Sequence, residues 1–140
     1  MARGNGFTWN GDKYAKRLEA ELRKRVDRVT LLLFGALKKL IKNSADGAPS
    51  APKQPPNYQT GSLLESTGVI SAKKIGKEWV GHVGVIHNIK KGRNKTDPRK
   101  YALYLEYGTV HMDARPFLSR TLMANRGAIN GILYRKFNGS

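Results

Sequence analysis

The chain has 140 residues, 39% of them hydrophobic, enough for one domain (1–140) with a modest core. Its 26 Lys and Arg against 10 Asp and Glu give a formal charge of +16, which suits phosphate polyanions, acidic proteins or anionic surfaces and says nothing about fold. The absence of cysteine excludes disulfides and thiolate metal sites, and the longest apolar run, Leu31 to Leu37 with Gly35 inside it, is too short to span a bilayer.

Residues 1–11 read as a loose Gly- and Asn-rich arm in which Phe7 and Trp9 are the anchors toward a neighbour. The start, MARGNGFTWNGDK, has no apolar segment of the kind a secretion signal needs, so the expected setting is intracellular. Asp12 is expected to cap a helix running to about Lys42, roughly 45 Å long. Its apolar stripe is Tyr14, Leu18, Leu22, Val26, Val29, Leu33, Leu37 and Leu40, at steps of three or four residues. Glu19/Arg23 and Glu21/Arg25 have the favourable four-residue spacing with the acid first. The second half, LLLFGALKKLI, is apolar nearly all round, which predicts burial on two sides or against a second copy.

Residues 43–59 carry four prolines and little apolar content and read as a loop. In TGSLLEST (60–67), Thr60 or Ser62 is expected to cap a short helix bearing Leu63 and Leu64, with Glu65 as the capping-box partner of Ser62. Residues 68–89 then alternate. They predict a hairpin with strands near Val69–Ile75 and Glu78–His87 around a Gly76-Lys77 turn. Both faces of the second strand carry apolar weight, so it is expected to be central or covered on both sides. Lys90 to Lys100 forms a basic loop with six cations, Lys90, Lys91, Arg93, Lys95, Arg99 and Lys100.

The stretch from Tyr101 to Leu122 predicts a rigid corner. A helix over YALYLEY turns most of its apolar side chains inward and ends at Gly108 in a left-handed conformation. A loop follows, and Arg115-Pro116-Phe117 opens a second helix with Pro116 in its first turn. Leu118, Leu122, Ile129, Ile132, Leu133 and Phe137 continue at helical spacing, interrupted by Gly127 and Gly131.

Chemistry is sparse. Glu106 is the one acid in the aromatic segment, and a structural pair with Arg115 is its expected role. Among the histidines, His82 and His87 are five apart on a strand and so on opposite faces, which defeats chelation from one element. No phosphate loop, Ser/His/Asp set or carboxylate cluster occurs. The expectation is no enzyme, no catalytic residue, no metal and no cofactor. Cations at Lys13, Lys16, Arg17, Arg23, Lys24, Arg25 and Arg28, together with the 90–100 loop, suit non-specific contact with phosphates or with an acidic partner. Base-specific reading is not expected.

Taken in order, a long N-terminal helix, TGSLLEST, a glycine-rich hairpin, YALYLEYGT and ARPFL resemble the small neck and tail-completion proteins of long-tailed double-stranded DNA phages. The matching positions are Thr60, Gly61, Leu63, Ser66, Tyr101, Ala102, Glu106, Gly108, Thr109, Ala114, Arg115, Pro116 and Phe117, within residues 12–125. The resemblance implies an α+β fold, a long N-terminal helix and a C-terminal helix packed on a small antiparallel sheet. It also implies a homo-oligomeric, hexamer-like ring in the virion neck, between head-closure or connector proteins and tail-tube or terminator proteins. Such a ring is built in the host cytoplasm, away from any membrane. The competing expectation is a small basic protein that binds nucleic acid without sequence preference.

Overall fold

The computed structural model describes residues 10–42, 53, 61–91 and 96–136. The arm through Trp9, Thr60, almost all of the proline-rich segment, Arg93 and Lys95 of the basic loop, and the last residues from Phe137 lie outside the described residues. The fold is α+β. Its elements are α1 (Gly11–Lys42), α2 (Ser62–Ser66), β1 (Thr67–Ile75), β2 (Glu78–Val85), α3 (Pro98–Tyr107), α4 (Leu118–Ala124) and α5 (Arg126–Leu133).

Helix α1 has 32 residues, so at 1.5 Å each it is about 48 Å long. It begins one residue before the expected cap. The Asn10 carbonyl accepts the Tyr14 N–H at 3.0 Å, and Asp12 lies in the first turn, where a negative charge suits the helix dipole. The helix lies across the β1–β2 hairpin, with the closest approach at Gly81. A β-carbon there would sit 2.4 Å from Thr30 Oγ1, so the seat of the helix depends on that missing side chain. The hairpin strands span only about 30 Å, so the stripe outruns them and Tyr14 stays half exposed.

The turn at Gly76-Lys77 falls where the spacing predicts it, with Gly76 at φ +63°. Thr67 pairs with Val85 and Ile75 with Glu78, but the ladder slips between Ile70 and Lys73. There Ser71 and Ala72 face Gly81 alone, a β-bulge. Ala72 is buried, and its N–H, released from the ladder, donates to Asp27 Oδ1 on α1 at 2.7 Å. Of the two alternatives for β2, central or covered on both sides, the first is corrected: among the described residues the sheet has two strands, both of them edges. Trp79, Gly81, Val83 and Val85 look onto α1 and the core, while Ile70 and Ile75 on β1 stay exposed.

Leu37, Ile41, Ala102, Leu105 and Phe117 make the core, flanked by half-buried Leu63, Leu64, Val83, Val85 and Leu118. It sits where the end of α1 meets α2, α3 and the start of α4. The C-terminal helix is interrupted, as its glycines lead one to expect, but not at them, and forms two helices. They break at Asn125, whose side-chain amide donates to the Thr121 carbonyl at 2.8 Å, while Gly127 and Gly131 lie inside α5. Both helices pack along α1. A buried Arg25 holds the end of α5, its guanidinium donating to the carbonyls of Leu133 and Arg135 and, at 3.0 Å, to Glu21. The Glu21/Arg25 pair therefore forms as expected. Glu19 turns instead to the hairpin, accepting from Lys74 Nζ and Trp79 Nε1, each at 2.7 Å.

Candidate functional site

The corner is built around Glu106. Helix α4 starts at Leu118 behind Phe117, an apolar residue that offers no side-chain cap for the free N–H groups of the first turn. Glu106 supplies that acceptor from α3. Its carboxylate accepts the N–H groups of Phe117, Leu118 and Ser119, each at 3.0 Å, and the Ser119 hydroxyl. Burial pushes the Glu106 carboxyl up, but the Ser119 hydroxyl and the three amides outweigh it and hold the group below the usual glutamate range. The expected Glu106–Arg115 pair is thus replaced by a helix cap, because three converging amides of one dipole end hold a carboxylate from several sides. Arg115 contributes through its backbone, its N–H donating to the Leu105 carbonyl at 2.6 Å. Pro116 precedes α4 rather than occupying its first turn.

Between the helices the chain makes a tight reversal. Thr109 and Met112 pair as an isolated bridge with Val110 and His111 at the tip. Gly108 takes φ 77° and ψ 175°, a positive φ as expected but an extended ψ, not the left-handed helical region. A β-carbon there would lie 2.9 Å from the Ala114 nitrogen. Phe117 then plugs the core, fully buried.

A second joint ties TGSLLEST to the chain after β2. Ser62 and Ser66 sit one turn apart on α2, and Ile89 and Lys91 two residues apart on the extended chain, both spacings of about 6 to 7 Å. The hydroxyls meet that chain like rungs of a missing strand. Ser66 Oγ accepts from the Ile89 N–H at 3.1 Å and donates to its carbonyl at 3.2 Å. Ser62 Oγ does the same with Lys91, at 2.6 and 3.2 Å, and Glu65 pairs with the Lys91 ammonium. Ser62 therefore does not cap α2 in a capping box with Glu65. Gly61 occupies the cap position, at φ 86°.

Beside the corner lies an apolar cleft of about 400 Å³, between Leu33 and Leu37 of α1, Val83 and Val85 of β2, Ala102, Leu103 and Tyr107 of α3, and Leu118 and Leu122 of α4. Arg99, Glu106 and Ser119 stand on its lining. The expectation that α3 turns most of its apolar side chains inward is corrected here: Ala102 and Leu105 are buried, but Leu103 is 58% and Tyr107 79% exposed. One helical face can meet the core, and i and i+4 residues on another face of α3 are left to the cleft rim. Leu122 and Met123 on α4 and Val110 at the loop tip are exposed as well.

The expected cationic contacts are divided. Lys90 and Lys100 are exposed. Lys91 is engaged by Glu65, and Arg99 folds back on Asp97, whose carboxyl it holds down at about 2 through side-chain and then backbone hydrogen bonds. Arg99 and Lys100 belong to α3, capped by Asp97, not to the loop. Arg25, expected on the basic face, is buried at α5. Its position in a row of cations gave no signal of this. His82, His87 and His111 are exposed and dispersed, and among the described residues no group of three or more His, Asp or Glu could hold a metal. Among the same residues no helix is long and apolar enough to cross a membrane. No protein-family model, curated protein or solved structure matches the chain.

Proposed function

We propose that this chain is a structural subunit of a phage neck, a homo-oligomeric ring that completes the tail and joins it to the DNA-filled head. One observation carries the reading. GSLLEST (61–67), YALYLEYGT and ARPFL, from the segments of the family resemblance, meet around one small core with an apolar cleft open beside it. Hydrogen bonds from Glu106, Ser62 and Ser66 fix that junction, which suits a part that works by shape. Exposed Leu103, Tyr107 and Leu122 at the cleft, and two edge strands, offer the apolar and backbone surface that lateral association of copies needs. The ring turns one face to the head-closure proteins and the other to the tail tube, and no catalytic step is involved.

A test is immunogold labelling of purified particles with an antibody against this chain. Gold at the head–tail joint is the expected result. Particles without label, or with label spread over the capsid, would overturn the proposal. The second reading, a free basic nucleic-acid-binding protein, is favoured by the +16 charge. It predicts the chain in infected cells and not in particles.

A further inference from the structure

We infer that the solvent face of α1 is a docking surface for duplex DNA, bound through its phosphates without sequence preference. At 3.6 residues per turn, Lys13, Arg17, Lys24 and Arg28 fall within about 60° of one another, on the side away from Val26, Thr30 and Leu37. They form a column roughly 22 Å long; Lys16 and Arg23 lie about 90 to 110° round the helix, nearer the hairpin side, and all six are exposed.

What sets this face apart is the fate of the acids on the same helix. Glu19 is turned to Lys74 and Trp79, Glu21 to Arg25, and Asp27 to the Ala72 amide. Glu19 and Asp27 are drawn toward the hairpin, while Glu21 stands at the edge of the column, one turn from Arg17 and Lys24, with its charge engaged by Arg25. Packing thus engages these three acids and Arg25, and leaves the cations of the column facing solvent. Among the described residues none of the six cations has an ion-pair partner.

The face commits to one partner class. A protein interface needs apolar or aromatic anchors at its centre and is depleted of lysine there; between Lys13 and Arg28 the column is bordered by Ala20 and Glu21, neither of them such an anchor. A single strand is held by stacking on successive aromatic rings, and the column itself has none, half-exposed Tyr14 standing about 70° from its centre at one end. A rigid rod of Lys and Arg without base-reading side chains fits the regular phosphate array of a duplex. The inference deepens the neck reading and rests on it for the source of the DNA, the packaged genome passing through the ring.

The test measures binding of the full-length protein to a short mixed-sequence duplex against sodium chloride concentration. The quadruple variant Lys13→Gln/Arg17→Gln/Lys24→Gln/Arg28→Gln keeps good helix formers on a solvated face. At about 0.9 per phosphate contact, it should flatten the log–log salt slope by about 3 to 4. A control variant, Lys73→Gln/Lys77→Gln/Arg126→Gln/Lys136→Gln, removes as much charge elsewhere and should leave the slope nearly unchanged. Should the first variant fail to fold by circular dichroism, Lys13→Gln/Arg17→Gln at the overhanging helix start should give about half the change. Equal flattening by the control would show that net charge, not this face, binds. Displacement of the duplex by polyglutamate at equal charge would show an acidic-protein surface. Either result overturns the inference and leaves the gold-labelling test of the neck reading untouched.

Discussion

Glu106 shows how one side chain sets the geometry of two helices. Replacing it with Gln keeps the shape and removes the charge that three α4 amides share, so Glu106→Gln is expected to lower stability by about 1 to 2 kcal/mol in urea unfolding. The pH dependence follows from the depressed carboxyl. A folded-state pKa below 4.5 gives stability that is complete above that value and lost as the pH falls through the folded-state pKa. The wild-type midpoint should therefore fall more steeply below pH 4.5 than that of Glu106→Gln, and superimposable profiles would exclude the cap. Gly108 is the second fixed point. Its φ of 77° and the 2.9 Å approach to the Ala114 nitrogen predict that Gly108→Ala costs about 1 to 3 kcal/mol in a thermal melt. The sequence marks Gly108 as a helix end and Glu106 as a structural acid, yet it hides the acid's partners. The signal was indirect: Phe117 is a poor cap, so the amides after it needed an acceptor from elsewhere.

At the scale of elements, side chains replace missing backbone partners. Arg25 closes the end of α5, which carries no buried residue of its own. Arg25→Met keeps the aliphatic stem and removes the donors, so amides of 126–135 should exchange much faster while those of β1 and β2 keep their protection. Unchanged exchange in α5 would show that its packing on α1 suffices. Ser66 is fully buried and holds both polar groups of Ile89, whereas Ser62 meets Lys91 at the surface. Ser66→Ala should therefore cost more than Ser62→Ala, by about 1 kcal/mol, because the bonds it removes are part-buried while those of Ser62 are exposed to water. The hairpin turn and α1 were legible because local periodicity and Gly76 dictate them. The two-strand limit of the sheet was not, and the C-terminal break was legible as a break but not in its place, since it falls at Asn125, whose amide turns back to the Thr121 carbonyl, and not at Gly127 or Gly131.

Across the whole molecule the charges are sorted rather than merely abundant. Glu19, Glu21, Asp27, Glu65, Asp97 and Glu106 are engaged by the hairpin, helix ends and loop, while Lys13, Arg17, Lys24 and Arg28 of α1 face solvent. Composition alone gave the sum of +16 and not its arrangement. The small core and the open cleft beside Tyr107 fit a chain that finishes its packing against other copies. The most direct measurement is electron microscopy of cells infected with a phage carrying an early stop codon in this gene, with and without the chain supplied in trans. The neck account predicts full heads beside separate tails, or tails of faulty length, with joined particles restored by the supplied chain. Normal joined particles without the chain would contradict it.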